Sequence, residues 1–508
     1  MKKPAPKFLN YLMPTFGNMI WCVVFILVLL LGRGMMNGDG DLGRHITIGN
    51  YILDNWKIPL QDQFSYTMLG QTLTPHEWLA QVLFALAERI AGFNGVVLMC
   101  ALVIATTFWL VYKRVRLSSK NIFLALLAVF LAMVSTRLHW LTRPHIFTFL
   151  LLALWILILE KLWLGKSNRW WLLPILMLVW ANLHGAFIAG FVTWFIFGVG
   201  VLWDFLRQKP SERTPLPHHY WRNFLLGGAT SFLVSFINPS GADLWKTSVG
   251  YVGTKYLVNI TNEYQSPNFH LTSTWPFALF ILLLIVVLAY SKKKINSAHL
   301  FTSAAWAVMG LYSARNIPLF AITAAPLLTA GLDDLLMMVS ARSKLALRFI
   351  DMDERLQTND RRFKGWVWPA LCIIITIVGF AAGINFDGER VGYGFRPDVF
   401  PVEAVDWLEQ NPQEGHVFNY FIWGGYLLYR DWPDTLVFID GQTDFYGEAL
   451  TRQYMQVLLV EEGWESVLEE YDVAWAILPV DQVSAQMIPL KLGWQVVYED
   501  ETAIILHR

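Results

Sequence analysis

The chain has 508 residues, of which 55% are apolar or aromatic and only 15% charged. A soluble fold of this size cannot hide so much apolar surface, so most of the chain must face lipid. Basic and acidic side chains both number 39, but Asn385 to Arg508 carries 22 acidic and 6 basic ones, net −16, and the rest carries the opposite net +16. Such an acidic tail speaks against a nucleic-acid partner, because it would repel phosphate. Cys22, Cys100 and Cys372 all lie in apolar runs, which rules out a disulfide scaffold.

Lys2, Lys3 and Lys7 precede a first apolar run that ends at Gly32-Arg33-Gly34 without a small-residue cleavage site, and it reads as an uncleaved span. Apolar windows broken by polar clusters give roughly eleven spans. Their centres lie near Phe25, Val103, Ala128, Leu154, Leu176, Phe195, Phe232, Leu283, Ala305, Ala325 and Ile375. Between the first two spans, residues 37–77 form a long polar loop, followed by an amphipathic helix around Leu79 to Ile90. Lys and Arg in alternate connections number 24 on the side of the N-terminus and 7 on the other before the tail. This bias predicts a cytoplasmic N-terminus, an odd number of spans and an extracytoplasmic tail. The expected organisation is a membrane domain over 1–384 and a soluble acidic α/β domain over 385–508. In the tail, Val402 to Gln410 has helical spacing, and His416 to Asn419, Leu436 to Ile439 and Val473 to Leu478 are apolar runs of strand length. Further helices fit Glu448 to Tyr471, and Trp494 to His507 reads as a hairpin turning at Glu499-Asp500-Glu501. Strands alternating with helices predict a small α/β fold.

The loops on the predicted outer side hold polar residues that must pair or bind something. In Gly38-Asp39-Gly40-Asp41-Leu42-Gly43-Arg44-His45, two carboxylates two residues apart can converge on one cation or hydroxyl, and one can act as a general base. The same residues read equally as a solvated Asp/Gly turn. Mg²⁺ or Mn²⁺ would suit Asp39 and Asp41, although two carboxylates do not require a divalent ion. In Thr74-Pro75-His76-Glu77-Trp78, His76 and Glu77 can assist proton transfer, or mark a helix start with Trp78 as an interfacial anchor. Arg137, His139, Arg143 and His145 place positive charge against the prevailing trend, which calls for a carboxylate or phosphate partner. His184, in Asn182-Leu183-His184-Gly185, and Arg315, in Ser313-Ala314-Arg315-Asn316, lie at the same level. Each loop alone reads as a structural pair; five on one side point to a site. The loop 238–274, with Glu263-Tyr264-Gln265-Ser266-Pro267, reads as a connector or as stretches lying on the membrane. In the tail, Asp440-Gly441-Gln442-Thr443-Asp444 follows a buried strand, where α/β domains place binding groups, or forms a plain turn.

Asp41-x-x-x-His45, Pro59-x-x-Asp62-x-x-Ser65, His76-Glu77-Trp78, Arg143-Pro144-His145, Asn182-x-His184-Gly185 and Arg315-Asn316 resemble, over nearly the whole chain, a bacterial branch of the GT-C superfamily of membrane-bound glycosyltransferases. The resemblance implies a polytopic α-helical protein of the bacterial inner membrane with an extracytoplasmic α/β domain. It further implies transfer, with inversion, of a sugar from a polyprenyl-phosphate donor to a glycan, lipid or protein acceptor on the outer face. The family's first-loop acidic residue corresponds to Asp41 or Asp39, as base or metal ligand, with His76 and Glu77 beside it. Arg44, His45, Arg143, His145, His184, Arg315, Asn316, Asp440 and Asp444 would then contact substrate or phosphate. Trp423-Gly424-Gly425-Tyr426 and Asp440-Gly441-Gln442-Thr443 loosely echo Trp-Trp-Asp-Tyr-Gly and Asp-Asn-x-Thr segments of oligosaccharyltransferase catalytic subunits, but the acidic third residue of the first is missing.

Two other classes fit many spans with outer Arg and His. A transporter or flippase of a lipid-linked or anionic substrate requires charged groups along a route through the bilayer, and the later spans hold almost none. A non-catalytic membrane subunit would use the tail to bind a partner.

Overall fold

The computed structural model describes residues 9–208, 215–250, 255–292, 295–384 and 392–508. The predicted boundary at 384/385 and Lys2, Lys3, Lys7, Lys209, Arg213, Lys293 and Lys294 of the charge count lie outside the described residues.

All eleven predicted span centres fall inside helices. Seven helices among the described residues are long and apolar enough to cross a membrane: Asn10–Asn37, Trp78–Ser118, Ile122–His139, His145–Trp163, Gly185–Arg207, Thr272–Tyr290 and Ala314–Ser340. The other four centres lie in Leu172–Leu183, Tyr220–Val234, Ser297–Tyr312 and Val367–Ala381, of 12, 15, 16 and 15 residues. At 1.5 Å per residue these reach about 18–24 Å, less than the ~30 Å of a hydrocarbon core. Leu172–Leu183 ends where His184 turns extended, at φ −163° and ψ 137°; just before it the Asn182 amide donates to the carbonyls of Leu178 and Ile237 at 2.8 and 2.9 Å. The Thr272–Tyr290 helix leaves Leu279, Leu282, Ile285 and Val286 exposed, an apolar stripe that lipid accommodates and water does not.

The amphipathic helix expected at Leu79 to Ile90 is the first arm of Trp78–Ser118. The chain leaves helical geometry at Ala91 and Gly92 and then continues as the span. Gly92 has φ 60° and ψ −153°, a conformation that a Cβ makes costly, so this glycine sets the bend between the arm and the span.

The C-terminal domain holds a four-stranded sheet of β1 (His416–Asn419), β2 (Val473–Pro479), β3 (Gln495–Glu499) and β4 (Ala503–His507), in the order β1-β2-β4-β3. β1 runs parallel to β2, and β4 runs antiparallel to both β2 and β3. The helix at Val402–Gln410 and the terminal hairpin form where the sequence puts them. Leu436 to Ile439, by contrast, is not a strand of this sheet. Its backbone pairs with the first loop instead: Val437 N–H donates to the Phe64 carbonyl at 3.1 Å, and Tyr66 N–H to the Val437 carbonyl at 3.2 Å.

That pairing shows how the first loop is built. Residues 37–77 do not form a free polar loop: Asp41–Asn55 is a helix packed between the Trp78 arm and the C-terminal Gly424–Asp431 helix. Ile48, Ile52 and Phe64 of the loop share a core with Val417, Trp423 and Trp475 of the tail. The contact with the Gly424–Asp431 helix is backbone against backbone. A Cβ on Gly43 would stand 2.2 Å from the Gly425 carbonyl oxygen, and one on Gly425 would stand 2.3 Å from that of Gly40. A third glycine, Gly441, lies against Asp41, whose Oδ1 would be 1.6 Å from an added Cβ. The two glycine-rich motifs of the sequence are therefore the two sides of one seam. At the far end of the bundle, a cavity of about 240 Å³ is lined by Leu117, Glu160, Trp163, Leu288, Asn296 and His299, among others.

Candidate active site

Every candidate group of the membrane domain sits at a helix end or the turn beside it, at the end of the bundle capped by the C-terminal domain. Asp39 and Asp41 open the Asp41–Asn55 helix, and Asp39 Oδ1 accepts the Asp41 N–H at 2.8 Å. The Asp/Gly turn of the sequence reading is present but not solvated: Asp41 is buried, and the other oxygen of Asp39 faces inward to Arg143. Glu77 caps Trp78–Ser118, Arg143 and Pro144 lead into His145–Trp163, His184 joins two helices, and Arg315 lies in the Ala314–Asn316 turn.

Arg143 forks across the two aspartates, with Nη1 donating to Asp39 Oδ2 at 2.8 Å and Nη2 lying 2.6 Å from Asp41 Oδ2. Glu263 links this fork to Arg315, its Oε1 lying 3.6 Å from Arg143 Nη1 and 3.5 Å from Arg315 Nη1. Arg315 also donates to the Tyr264 hydroxyl, and its guanidinium carbon stands 4.9 Å from the centre of that ring. Arg315 Nη2 lies 3.5 Å from His184 Nε2, which is 3.5 Å from Glu77 Oε1. His45 and His76 approach Glu77 at 3.9 and 4.0 Å. The C-terminal domain closes the far side: Arg44 Nε is 3.3 Å from Asp440 Oδ2, and its Nη2 donates to Gln442. Arg44, His76, Glu77, Gln81 and Gln442 line a small cleft at this junction.

Hydrogen bonding fixes the His184 ring. The Thr148 hydroxyl accepts from Trp180 Nε1 at 2.9 Å, so its own proton is free for His184 Nδ1, also at 2.9 Å. When the hydroxyl donates to Nδ1, the neutral ring carries its own proton on Nε2, facing Glu77 and the Arg315 side. His45 Nδ1 is buried without a hydrogen-bond partner among the described residues.

The electrostatics separate the carboxylates. Burial pushes Asp39 up to about 7, against the pull of Arg143 and with help from Asp41. Burial likewise raises Asp440 to about 6 against Arg44, and raises Glu77 against His76 and Arg143. Glu263 goes the other way: burial would raise it, but Arg315 and Arg143 together hold it down to about 2. One carboxyl of the network thus titrates near neutrality beside another that stays ionised.

The sequence candidates divide accordingly. Asp39, Asp41, Arg44, His45, His76, Glu77, Arg143, His184, Arg315 and Asp440 come together. His145 acts one step back: its Nε2 lies 2.7 Å from the His139 carbonyl, and His139 Nε2 lies 3.0 Å from the carbonyl of Ala314, next to Arg315. Asn316 is half-buried and donates to the Met309 carbonyl at 3.3 Å. Asp444 sits in the first turn of Thr443–Leu458, and no contact among the described residues ties it to the network. Sequence reasoning missed Glu263, which it left in a connector. The signal was present, since Glu263 is the only carboxylate between Asp243 and Asp333. The loop is strapped to the Arg315 turn by Ala314 N–H to the Gln265 carbonyl at 2.9 Å and by the Ser313 hydroxyl to the Glu263 carbonyl at 3.1 Å. Gln442 was missed as well, as a neighbour of two acidic candidates that looked more chemical.

The pair considered for Mg²⁺ or Mn²⁺, Asp39 and Asp41, does not fit a divalent ion in this arrangement. The point on which both carboxylates converge is taken by the Arg143 guanidinium. Among the described residues no group of three His, Cys, Asp or Glu side chains is disposed to hold a metal.

No protein-family model and no curated protein sequence matches the chain. Solved structures do. The crystal structure of the Archaeoglobus fulgidus oligosaccharyltransferase tethered with an acceptor peptide containing the NVT sequon aligns over 91% of this chain and 69% of its own, with a TM-score of 0.59 at 14% identity. Its apo form aligns over 91% and 70%, with a TM-score of 0.58 at 13% identity. This chain shares the GT-C fold. A third structure, of the same archaeal enzyme in complex with an inhibitory peptide and a dolichol-phosphate, aligns over 92% of this chain and 70% of that one, with a TM-score of 0.57 at 12% identity. At these identities the likeness is one of architecture, and the side chains of the network have to be read for themselves.

Proposed function

We propose that the chain is an integral-membrane glycosyltransferase of the bacterial inner membrane. It moves a sugar from a polyprenyl-phosphate donor to an acceptor hydroxyl at the extracytoplasmic face. The observation that carries this reading is the continuous ionic network built from five loops far apart in sequence, at the capped end of a GT-C fold. The Lys and Arg bias puts that end outside.

The network has the parts that a single displacement at an anomeric carbon requires. The donor's bond from C1 to the phosphate oxygen breaks as the acceptor oxygen attacks, so negative charge grows on the departing polyprenyl phosphate. Arg315 Nη2 and His184 Nε2 lie 3.5 Å apart, and Arg315, joined by His184 when its ring proton is on Nε2, offers donors to those oxygens. The acceptor proton must leave as the new bond forms, and Asp39 or Asp41 takes it. One displacement from the face opposite the leaving group inverts the anomeric configuration. Glu77, with His76 and His45 around it, and Arg44 with Asp440 line the side where the sugar or acceptor would rest.

Purified protein incubated with a panel of polyprenyl-phosphate sugars and glycan, lipid or peptide acceptors is expected to release polyprenyl phosphate and form an inverted glycoside. Movement of intact donor across a vesicle membrane without cleavage would instead assign the chain to the flippases.

A further inference from the structure

We infer that Arg143 stands in for a divalent cation, so that this site works on a fixed guanidinium without Mg²⁺ or Mn²⁺. Three carboxylates from two segments far apart in the chain approach one group: Asp39 at 2.8 Å, Asp41 at 2.6 Å and Glu263 at 3.6 Å. Hard divalent ions are held by this kind of oxygen set. Here each approach ends on a nitrogen of Arg143, and the two aspartates take one Nη each, the planar fork that an arginine offers and a spherical ion does not.

Arg143 is also anchored where a bound ion could leave. The next residue is Pro144, and the Arg143 carbonyl accepts the Ile146 N–H at 3.3 Å in the first turn of the His145–Trp163 helix. Burial works against the charge of the guanidinium, but Asp39 and Asp41 hold it firmly protonated. With Arg315 on the far side of Glu263, two guanidiniums already face three carboxylates. A further two positive charges would meet a cluster whose negative charge is largely spent. Within the glycosyl-transfer reading, on which this inference rests for its chemistry, Arg143 orients the two aspartates and balances their charge, the work an ion would otherwise do.

The test is titration of the full-length protein in nanodiscs with MnCl₂, followed by electron paramagnetic resonance. The wild type is expected to hold no stoichiometric Mn²⁺. Arg143→Ala leaves Asp39 and Asp41 without their cation, with Glu263 facing Arg315 alone, and is expected to gain one Mn²⁺ per chain, lost again when Asp41→Asn is added. A wild type that binds one Mn²⁺ per chain in a manner abolished by Asp41→Asn overturns the inference, and so does a folded Arg143→Ala variant that binds none. If Arg143→Ala does not fold, the wild-type titration still decides. These readouts need no activity, so they stand even if no donor is turned over. Where transfer is observed, it is expected to persist in EDTA, and loss in EDTA with recovery on adding Mn²⁺ overturns the inference too.

Discussion

Asp39→Asn lowers kcat for sugar transfer by about 10²–10⁴-fold, the usual contribution of a positioned general base. Asn keeps the size of the side chain and the acceptor for the Asp41 N–H, so the turn that starts the Asp41–Asn55 helix survives. What is lost is a carboxyl that burial pushes up to about 7. A base acts in its deprotonated form, so the wild-type kcat climbs as pH rises through about 7 and levels off above it. The Asn variant shows a low rate without that limb. Asp41→Asn lowers kcat as well, because it removes the charge that Arg143 Nη2 meets at 2.6 Å. A pH–rate profile separates the two roles: the rising limb vanishes with Asp39 and persists, at reduced amplitude, without Asp41. Full activity in both variants removes the pair from the mechanism.

Arg114→Ala is expected to cost about 3–5 kcal/mol of stability, because it leaves a buried carboxylate without its main partner. Arg114 and Glu160 are 1% and 2% exposed and meet through two bonds, at 2.7 and 3.1 Å. The third arm of Arg114 donates to the Ile322 carbonyl at 2.7 Å, and His299 lies 3.0 Å from Glu160. The cluster therefore ties four helices together near the far end of the bundle. His145 and Glu160 lie on one helix, about 22 Å apart at 1.5 Å per residue. The loss is thus structural and distant from the site: the midpoint of thermal unfolding falls, while the kcat of the folded fraction holds. Replacing both partners together, Arg114→Met with Glu160→Leu, recovers most of the stability, since no charge is left unpaired. Equal destabilisation by the double variant would contradict the pairing.

Much of this organisation was legible in the sequence, for reasons that differ from element to element. The span centres were readable because each is an apolar run, but lengths were not. Leu172–Leu183 ends beside Asn182, whose amide bonds to Ile237 across the bundle, and no local pattern announces such a partner. Leu436 to Ile439 has the composition of a strand because Val437, Phe438 and Ile439 are buried, yet its backbone partner, Phe64, lies in the first loop. Burial was legible; register was not. The glycines flanking Asp39 and Asp41 were read as turn formers, which they are, while their second use as a flat face for Gly425 depends on a contact across almost the whole chain. Asp39, His76, Arg143, His184 and Arg315 were found because ionisable groups at helix ends near a membrane are costly unless paired. Glu263 escaped because it sits in a long loop that reads as a connector, and its being the one carboxylate between Asp243 and Asp333 was not weighed. Asn316 and Asp444 were carried by the company of Arg315 and Asp440; the Asn316 amide bonds to Met309 instead.

The central claim is that the Arg315–His184 corner of this network receives the phosphate of a lipid donor. The most direct measurement is a cryo-electron microscopy structure of the protein in nanodiscs with a polyprenyl phosphate added. The phosphate is expected within hydrogen-bond reach of Arg315 and His184, beside Asp39 and Asp41, with the chain leaving between the helices toward lipid. A phosphate held instead in the cavity beside Glu160 and His299, at the opposite end of the bundle, would contradict the account.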